Sequence, residues 1–291
     1  MPELPEVEVT RRRIAPLLVG RRIRQVRTTA SSYVFLTSPD RLRKGLTGRT
    51  VESLERQGKY LLADLDEGSR LVVHLGMTGQ LFSAQATSPR LLSATARAAL
   101  APEAQACFRP DPHTHLRLAF DDGGAEVYLR DVRKFGKVML LGPDERHPRL
   151  AKLGVDALDV TGALLFAATR GRTLAVKGVL LDQTAIAGVG NIYADEALFL
   201  AGVRPRRRAA RVTRRECDAI AHSLRRVLRR SIETGGASIS DYVTPDGSDG
   251  AYQSERRVYA RAAEPCDQCG TPIRKITVAQ RGTHYCPRCQ S

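Results

Sequence analysis

Residues 266–289 read CDQCGTPIRKITVAQRGTHYCPRC, and the spacing of their four cysteines decides how the rest of the chain is divided. Cys266, Cys269, Cys286 and Cys289 follow a C-x2-C-x16-C-x2-C pattern. In a chain that opens on no export signal, four thiolates at this spacing imply one tetrahedral Zn2+ rather than disulfides. A site closed by four sulfurs leaves no position for water, so the ion is structural. Between the two pairs, IRKITVAQRGTHYC alternates like two strands around an Arg281–Gly282 turn. The metal would then fix a basic hairpin tip suited to a phosphate contact. His284 offers a further nitrogen, but the cysteines already complete the shell. Cys107 and Cys217 have no partner pattern and read as ordinary buried or free thiols.

Upstream of the finger, residues 235–256 are rich in Gly, Ser and Asp, which predicts a loop that orders on binding. Before it, TLAVKGVLLDQ (173–183), NIYADEALFLAGV (191–203) and TRRECDAIAHSLRRVLRRSIET (213–234) have helical spacing. Residues 201–234 hold 11 Arg against 3 acids, a solvated helix face taken alone and a phosphate-binding face beside a zinc hairpin. AGVGNIYADEAL (187–198) feeds a glycine turn into a helix start at Asn191. Such a turn aims backbone N–H groups at an anion, or serves tight helix–turn–helix contacts.

Residues 21–142 have another period. RRIRQVRTT, TVESLERQ, KYLLADL, RLVVHL, HLRLAF, AEVYLRD and KVMLLG have strand character, with turn signals at LDEGS and DDGGA. They predict an antiparallel sandwich or barrel. Residues 84–112 interrupt it as a long loop with a short helix. HLGMTGQL places Met77 in a turn, and RDVRKFGKV places Arg133, Lys134 and Phe135 in another. Met and Phe usually pack in a core, but an apolar side chain beside bases at a turn can also wedge a base stack.

The chain opens MPELPEVEVT. Pro5, with Glu6 and Glu8 at the positive end of the dipole and arginines after them, predicts a helix start. That accounts for neither Pro2 nor Glu3. The formal charge of +15 and pI near 10.1 favour a polyanionic partner, nucleic acid before an anionic membrane. With 39 Arg against 7 Lys the basic positions run to arginine, so each lysine asks for a reason. No apolar run is long enough to span a bilayer, and the expected location is cytoplasmic.

PELPEVE at the start, GKYLL with Lys59, GVGNIYADEAL and a finger containing AQRGTHYC occur together in this order. Together they resemble the formamidopyrimidine-DNA glycosylases, bacterial repair enzymes for oxidised guanine. The resemblance implies an α+β fold: an N-terminal antiparallel β-sandwich with a leading helix (1–148), a helix–two-turn–helix domain with a lesion-capping loop (149–257) and a four-cysteine zinc finger (258–291). It implies removal of oxidised purines from double-stranded DNA by a monomeric, nucleoid-associated glycosylase and AP lyase. Met1 is removed, and the Pro2 nitrogen, of the α-amino class that titrates near 7.7–8.0 in model peptides, attacks C1′. The iminium then drives strand cleavage by β,δ-elimination. Glu3 moves the proton, and Lys59 lies near the lesion's sugar and phosphate, with Arg281 beside them. His113, Lys177, Asn191 and Arg281 match phosphate-binding positions. Met77, Arg133 and Phe135, with Lys134 in the same loop, match the residues that fill the gap left by an extruded base. Departures are Val132 and Lys134, where relatives often show proline and arginine, Ala260 for glycine, the 84–112 insert and the 235–256 loop. An endonuclease VIII-like enzyme for oxidised pyrimidines and a non-catalytic zinc-finger DNA binder remain alternatives.

Overall fold

The computed structural model describes residues 2–86, 108–239 and 242–291. Most of the 84–112 insert, with its expected short helix and Cys107, lies outside the described residues. The chain divides into two compact units, Met1–Pro148 with Thr234–Ala251, and Arg149–Glu233 with Tyr252–Ser291. The segment expected to close over a lesion thus belongs to the first unit as far as Ala251, and the finger to the second.

The first unit starts with helix α1 (Leu4–Leu18). Glu3 caps it in a reciprocal box: its side chain accepts from the Glu6 N–H, while its own N–H donates to Glu6 Oε2 at 2.8 Å. Strand β1 (Ile23–Thr28) leads to helix α2 (Pro39–Leu46). Strands β2 (Val51–Gln57), β3 (Tyr60–Leu65), β4 (Arg70–His74), β5 (Gly79–Ser83), β6 (Thr114–Phe120), β7 (Val127–Asp131) and β8 (Lys137–Leu141) follow. They form two antiparallel sheets, ordered β1-β6-β7-β5 and β2-β3-β4-β8. Leu54, Leu61, Val73 and Val138 from one sheet share a core with Val26, Leu81, Leu116 and Leu129 from the other. Val7, Ile14 and Leu18 of α1 enter the same core. The apolar face of α1 therefore fixes where its polar N-terminus stands.

The second unit holds a two-residue parallel pair, β9 (Val155–Asp156) with β10 (Ile186–Ala187). Its helices of six residues or more are α3 (Gly162–Thr169), α4 (Val176–Leu181), α5 (Asn191–Leu200) and α6 (Arg214–Glu233). The finger adds an antiparallel hairpin, β11 (Arg274–Val278) with β12 (Arg281–Tyr285). Its turn is Ala279–Gln280, both in the left-handed region (φ 49° and 58°), as a type I′ hairpin requires. The expected Arg281–Gly282 turn is corrected by two residues: both lie on β12, paired with Val278 and Thr277.

Ala260 also takes a positive φ, 58°. A left-handed alanine is strained, whereas glycine is not, although glycine loses more chain entropy on folding. Ala260→Gly should stabilise the second unit by about 0.5–1 kcal/mol net, read as a thermal midpoint roughly 2 °C higher. An unchanged or lower midpoint would show that the strain is relieved elsewhere.

Candidate active site and nucleic-acid interface

Pro2 and Glu3 are buried at the start of α1, Glu3 at 2% exposure. Lys59, 8% exposed, sits in the two-residue β2–β3 turn after Gly58 (φ 57°), the position a type II′ turn reserves for glycine. An ion pair couples this turn to the helix. Arg56 donates through Nη1 to the Gly58 carbonyl (2.9 Å) and through Nε to Glu8 Oε2 (3.1 Å). Burial would raise the Glu8 pKa, but hydrogen bonds from Arg11 and Arg12 and the charges of Arg11 and Arg56 outweigh it, holding the carboxyl at about 2. Glu8 looked like a helix-dipole acid and Arg56 like one of many arginines. Only a pairing 48 residues apart shows that they hold the Lys59 turn against α1.

The structure brings Met77, Arg133 and Phe135 together. Gly76 (φ 63°) precedes Met77, and a Cβ there would stand 2.5 Å from the Phe135 carbonyl carbon. Glycine therefore lets the two loops touch backbone to backbone. Met77 and Phe135 are 41% and 46% exposed, and the Arg133 guanidinium lies 4.7 Å from the Phe135 ring centroid. Val132 is also exposed, and Lys134 takes φ 58°. Met77, Val132 and Phe135 thus stand at the surface rather than in a core. His113 is half-buried, its carbonyl accepting from the Asp131 N–H at 2.9 Å.

The described part of the 235–256 loop has partners within the first unit. The Ala237 N–H donates to Glu6 Oε1 at 2.9 Å. Arg13 Nη1 donates to Asp246 Oδ2 (2.6 Å) and Thr244 Oγ1 (3.0 Å). Val243 enters a cluster with Phe82, Phe108 and Tyr128, where Phe82 and Phe108 meet edge to face at 4.4 Å. Phe108, near the far end of the 84–112 insert, is the first residue described after Ala86, so that end of the insert and the loop share one apolar seat. Helix α1 thus holds the loop at Ala237 and again at Thr244 and Asp246.

In the second unit Lys177 is 0% exposed. Its ammonium pairs with Asp195 Oδ1 (2.7 Å) and donates to Thr283 Oγ1 (2.7 Å) and the Gly282 carbonyl (3.3 Å). The His284 N–H donates to the other Asp195 oxygen at 2.8 Å. Leaving such a buried carboxylate without its cation would cost roughly 3–5 kcal/mol. Lys177 thus reaches no surface and fixes β12 from within. Asn191, half-buried, donates from Nδ2 to the same Gly282 carbonyl at 2.9 Å. Three side chains on α4 and α5 converge on β12 and present Arg281, which is exposed at the strand's start.

The Cys266, Cys269, Cys286 and Cys289 sulfurs all lie within 4.8 Å of one another, with the 266–289 and 269–286 pairs at 3.9 and 3.5 Å. A tetrahedron of 2.3 Å Zn–S bonds needs edges of about 3.8 Å, so the four sulfurs fit one zinc ion. His284 is outside this group. Cys217 is fully buried, and burial pushes its thiol pKa up. Among the described residues no helix is long and apolar enough to cross a membrane.

Three family descriptions match in sequence: the formamidopyrimidine-DNA glycosylase N-terminal domain over residues 1–138, its H2TH domain over 153–243, and a zinc finger found in FPG and IleRS over 263–291. The formamidopyrimidine-DNA glycosylase of Cupriavidus pinatubonensis is 44% identical over 304 residues, with both chains covered completely. A point mutant of the Lactococcus lactis FPG bound to Fapy-dG-containing DNA superposes with a TM-score of 0.85 at 35% identity, with 100% of each chain covered. The wild-type Lactococcus lactis FPG bound to DNA containing an oxidised pyrimidine gives 0.83 at 34%, again over 100% of each chain. Sandwich, helical unit and finger each meet their counterpart, end to end. The chain belongs to the formamidopyrimidine-DNA glycosylase family.

Proposed function

We propose that this chain is a bifunctional glycosylase and AP lyase that removes oxidised purines, 8-oxoguanine and formamidopyrimidines, from duplex DNA. The observation that carries the reading is Pro2–Glu3 held rigidly at the capped start of α1 in a member of this family. With Met1 removed, the Pro2 nitrogen is a secondary amine, appreciably unprotonated near neutrality. It attacks C1′ of an extruded nucleotide, the C1′–base bond breaks with its electrons leaving on the base, and the proton shed by the Pro2 nitrogen neutralises the departing base. Glu3 delivers a proton to the ring oxygen as the C1′–O4′ bond opens, leaving an iminium between Pro2 and C1′. The iminium withdraws electrons from C2′; loss of a C2′ proton expels the 3′ phosphate, and a second elimination expels the 5′ phosphate. Water then releases Pro2.

Lys59, pinned by Arg56 and Glu8, addresses the sugar and its phosphate. Met77 and Phe135 fill the vacated stack, and Arg133 faces the orphaned base. His113, Asn191 and Arg281 contact phosphates, while Lys177 positions Gly282 and Thr283 from inside the unit. The oxidised-pyrimidine complex of the Lactococcus lactis relative makes thymine glycol the natural comparison substrate.

Borohydride reduction during turnover on an 8-oxoguanine duplex should trap a covalent adduct, which peptide mapping places on Pro2. Thymine glycol should trap less. A missing adduct, one unaffected by Pro2→Gly, or an N-terminus that keeps Met1 would overturn the proposal.

A further inference from the structure

The apolar and basic side chains assigned to the vacated stack lie on two separate loops, and nothing in the reaction itself keeps them in register. We infer that Asp131 is the positioning residue that locks the Met77 loop to the Arg133–Phe135 loop, and so sets how the enzyme enters a duplex and reads the base opposite the lesion. The inference rests on the glycosylase reading above.

Asp131 is 0% exposed at the end of β7. Its Oδ1 accepts from Thr78 Oγ1, next to Met77, at 2.5 Å, and from the Arg133 N–H at 3.2 Å. Its Oδ2 accepts from the Gly136 N–H, next to Phe135, at 2.6 Å. A carboxylate accepts only, and here each oxygen faces protein donors. Its backbone completes the arrangement: the N–H donates to the His113 carbonyl, and the carbonyl accepts from His115 Nε2, both at 2.9 Å. One buried side chain thus spans both loops that carry the wedge, and its backbone sets the neighbouring His113. A surface patch that merely clustered would need no such acceptor; a two-part tool that must enter a base stack as one body does. Hydrogen bonds to a charged acceptor are about twice as strong as neutral ones, which suits a tool loaded by the stack it separates.

Asp131→Asn keeps the shape but removes the charge from both loops and turns one acceptor oxygen into an NH2 group, which faces the Gly136 N–H in one orientation and the Arg133 N–H in the other. Thr78→Val removes a single donor to the same carboxylate. Three readouts separate positioning from general damage: excision of 8-oxoguanine opposite C, the ratio of excision opposite C and A, and borohydride trapping on a single-stranded abasic oligonucleotide, which needs no wedge. For Asp131→Asn, duplex excision should fall about 100-fold, as a misplacement near 1 Å can cause, and the C-over-A preference should shrink. Single-strand trapping should stay at the wild-type rate. Thr78→Val should show the same pattern more weakly, and it decides the matter if Asp131→Asn does not fold. Duplex excision unchanged, or duplex and single-strand activity falling together in Thr78→Val, overturns the inference. Wild-type protein that traps on neither substrate would instead refute the glycosylase reading itself.

Discussion

Glu3→Gln should excise 8-oxoguanine about 1,000-fold more slowly than the wild type while binding the lesion duplex equally well, since general acid–base groups contribute 10²–10⁴-fold. On the proposed mechanism the side chain has a second function besides capping α1, and the substitution separates the two. As the cap of α1 it needs an oxygen to accept the Glu6 N–H, and the glutamine carbonyl supplies one of the same size at the same place. The reciprocal bond from the Glu3 N–H to Glu6 is backbone-donated and unaffected. Helix α1 should therefore keep its start, and with it the Pro2 position, the Glu8–Arg56 link and the Ala237 contact. Only the ability to carry a proton is lost. Single-turnover excision with binding measured by titration gives both numbers. Excision at the wild-type rate would remove Glu3 from the chemistry and leave it a cap.

How much of this was legible in the sequence differs by residue. The four cysteines were, because zinc imposes a local spacing that survives any background composition. Most strands were, because their turns carry glycine and aspartate. Strand β5 was not: all five residues are buried, so GQLFS shows no alternation. Helix α2 is short, yet Ser38, Pro39 and Asp40 are an N-cap, an N1 proline and a first-turn acid, a signal that could have found it. The hairpin turn misled because Arg-Gly is the better turn pair by composition, whereas the chain bends at Ala279–Gln280. Lys177 drew notice as a lysine in an arginine-rich chain; what the spacing of TLAVKGVLLDQ could not tell is that its ammonium faces Asp195 rather than solvent. The partners of the 235–256 loop were hidden by distance, Glu6 and Ala237 being 231 residues apart. Tertiary hydrogen bonds of that separation leave no local pattern. Glu8, Arg56 and Asp131 were missed for the same reason: each looks ordinary among its neighbours and acquires its role only from what folds against it.

Removing the metal should cost more than any single side chain, and it should do so unevenly along the chain. Structural zinc in a small finger contributes on the order of 10–16 kcal/mol, far more than a hairpin of this size can replace. The finger is not an appendage, since Cys266, Cys286 and Ile273 share one apolar cluster with Phe199 of α5 and with Val258. Losing the ion should loosen the end of α5 together with the hairpin, and with β12 goes the anchor of Arg281 and the partner of Asn191 and Lys177. The sandwich core contains none of these residues and should persist. Chelation, or Cys286→Ser, should therefore bring zinc content from one ion per chain to none and weaken duplex binding. The slope of log affinity against log salt should shrink by about 0.9 for each phosphate the finger no longer neutralises. Hydrogen exchange should rise across 191–203 and 258–291 while β2 to β4 stay protected. Duplex affinity and salt slope unchanged in metal-free protein would show that the finger bears no phosphate contact, and that Arg281 has been given the wrong role.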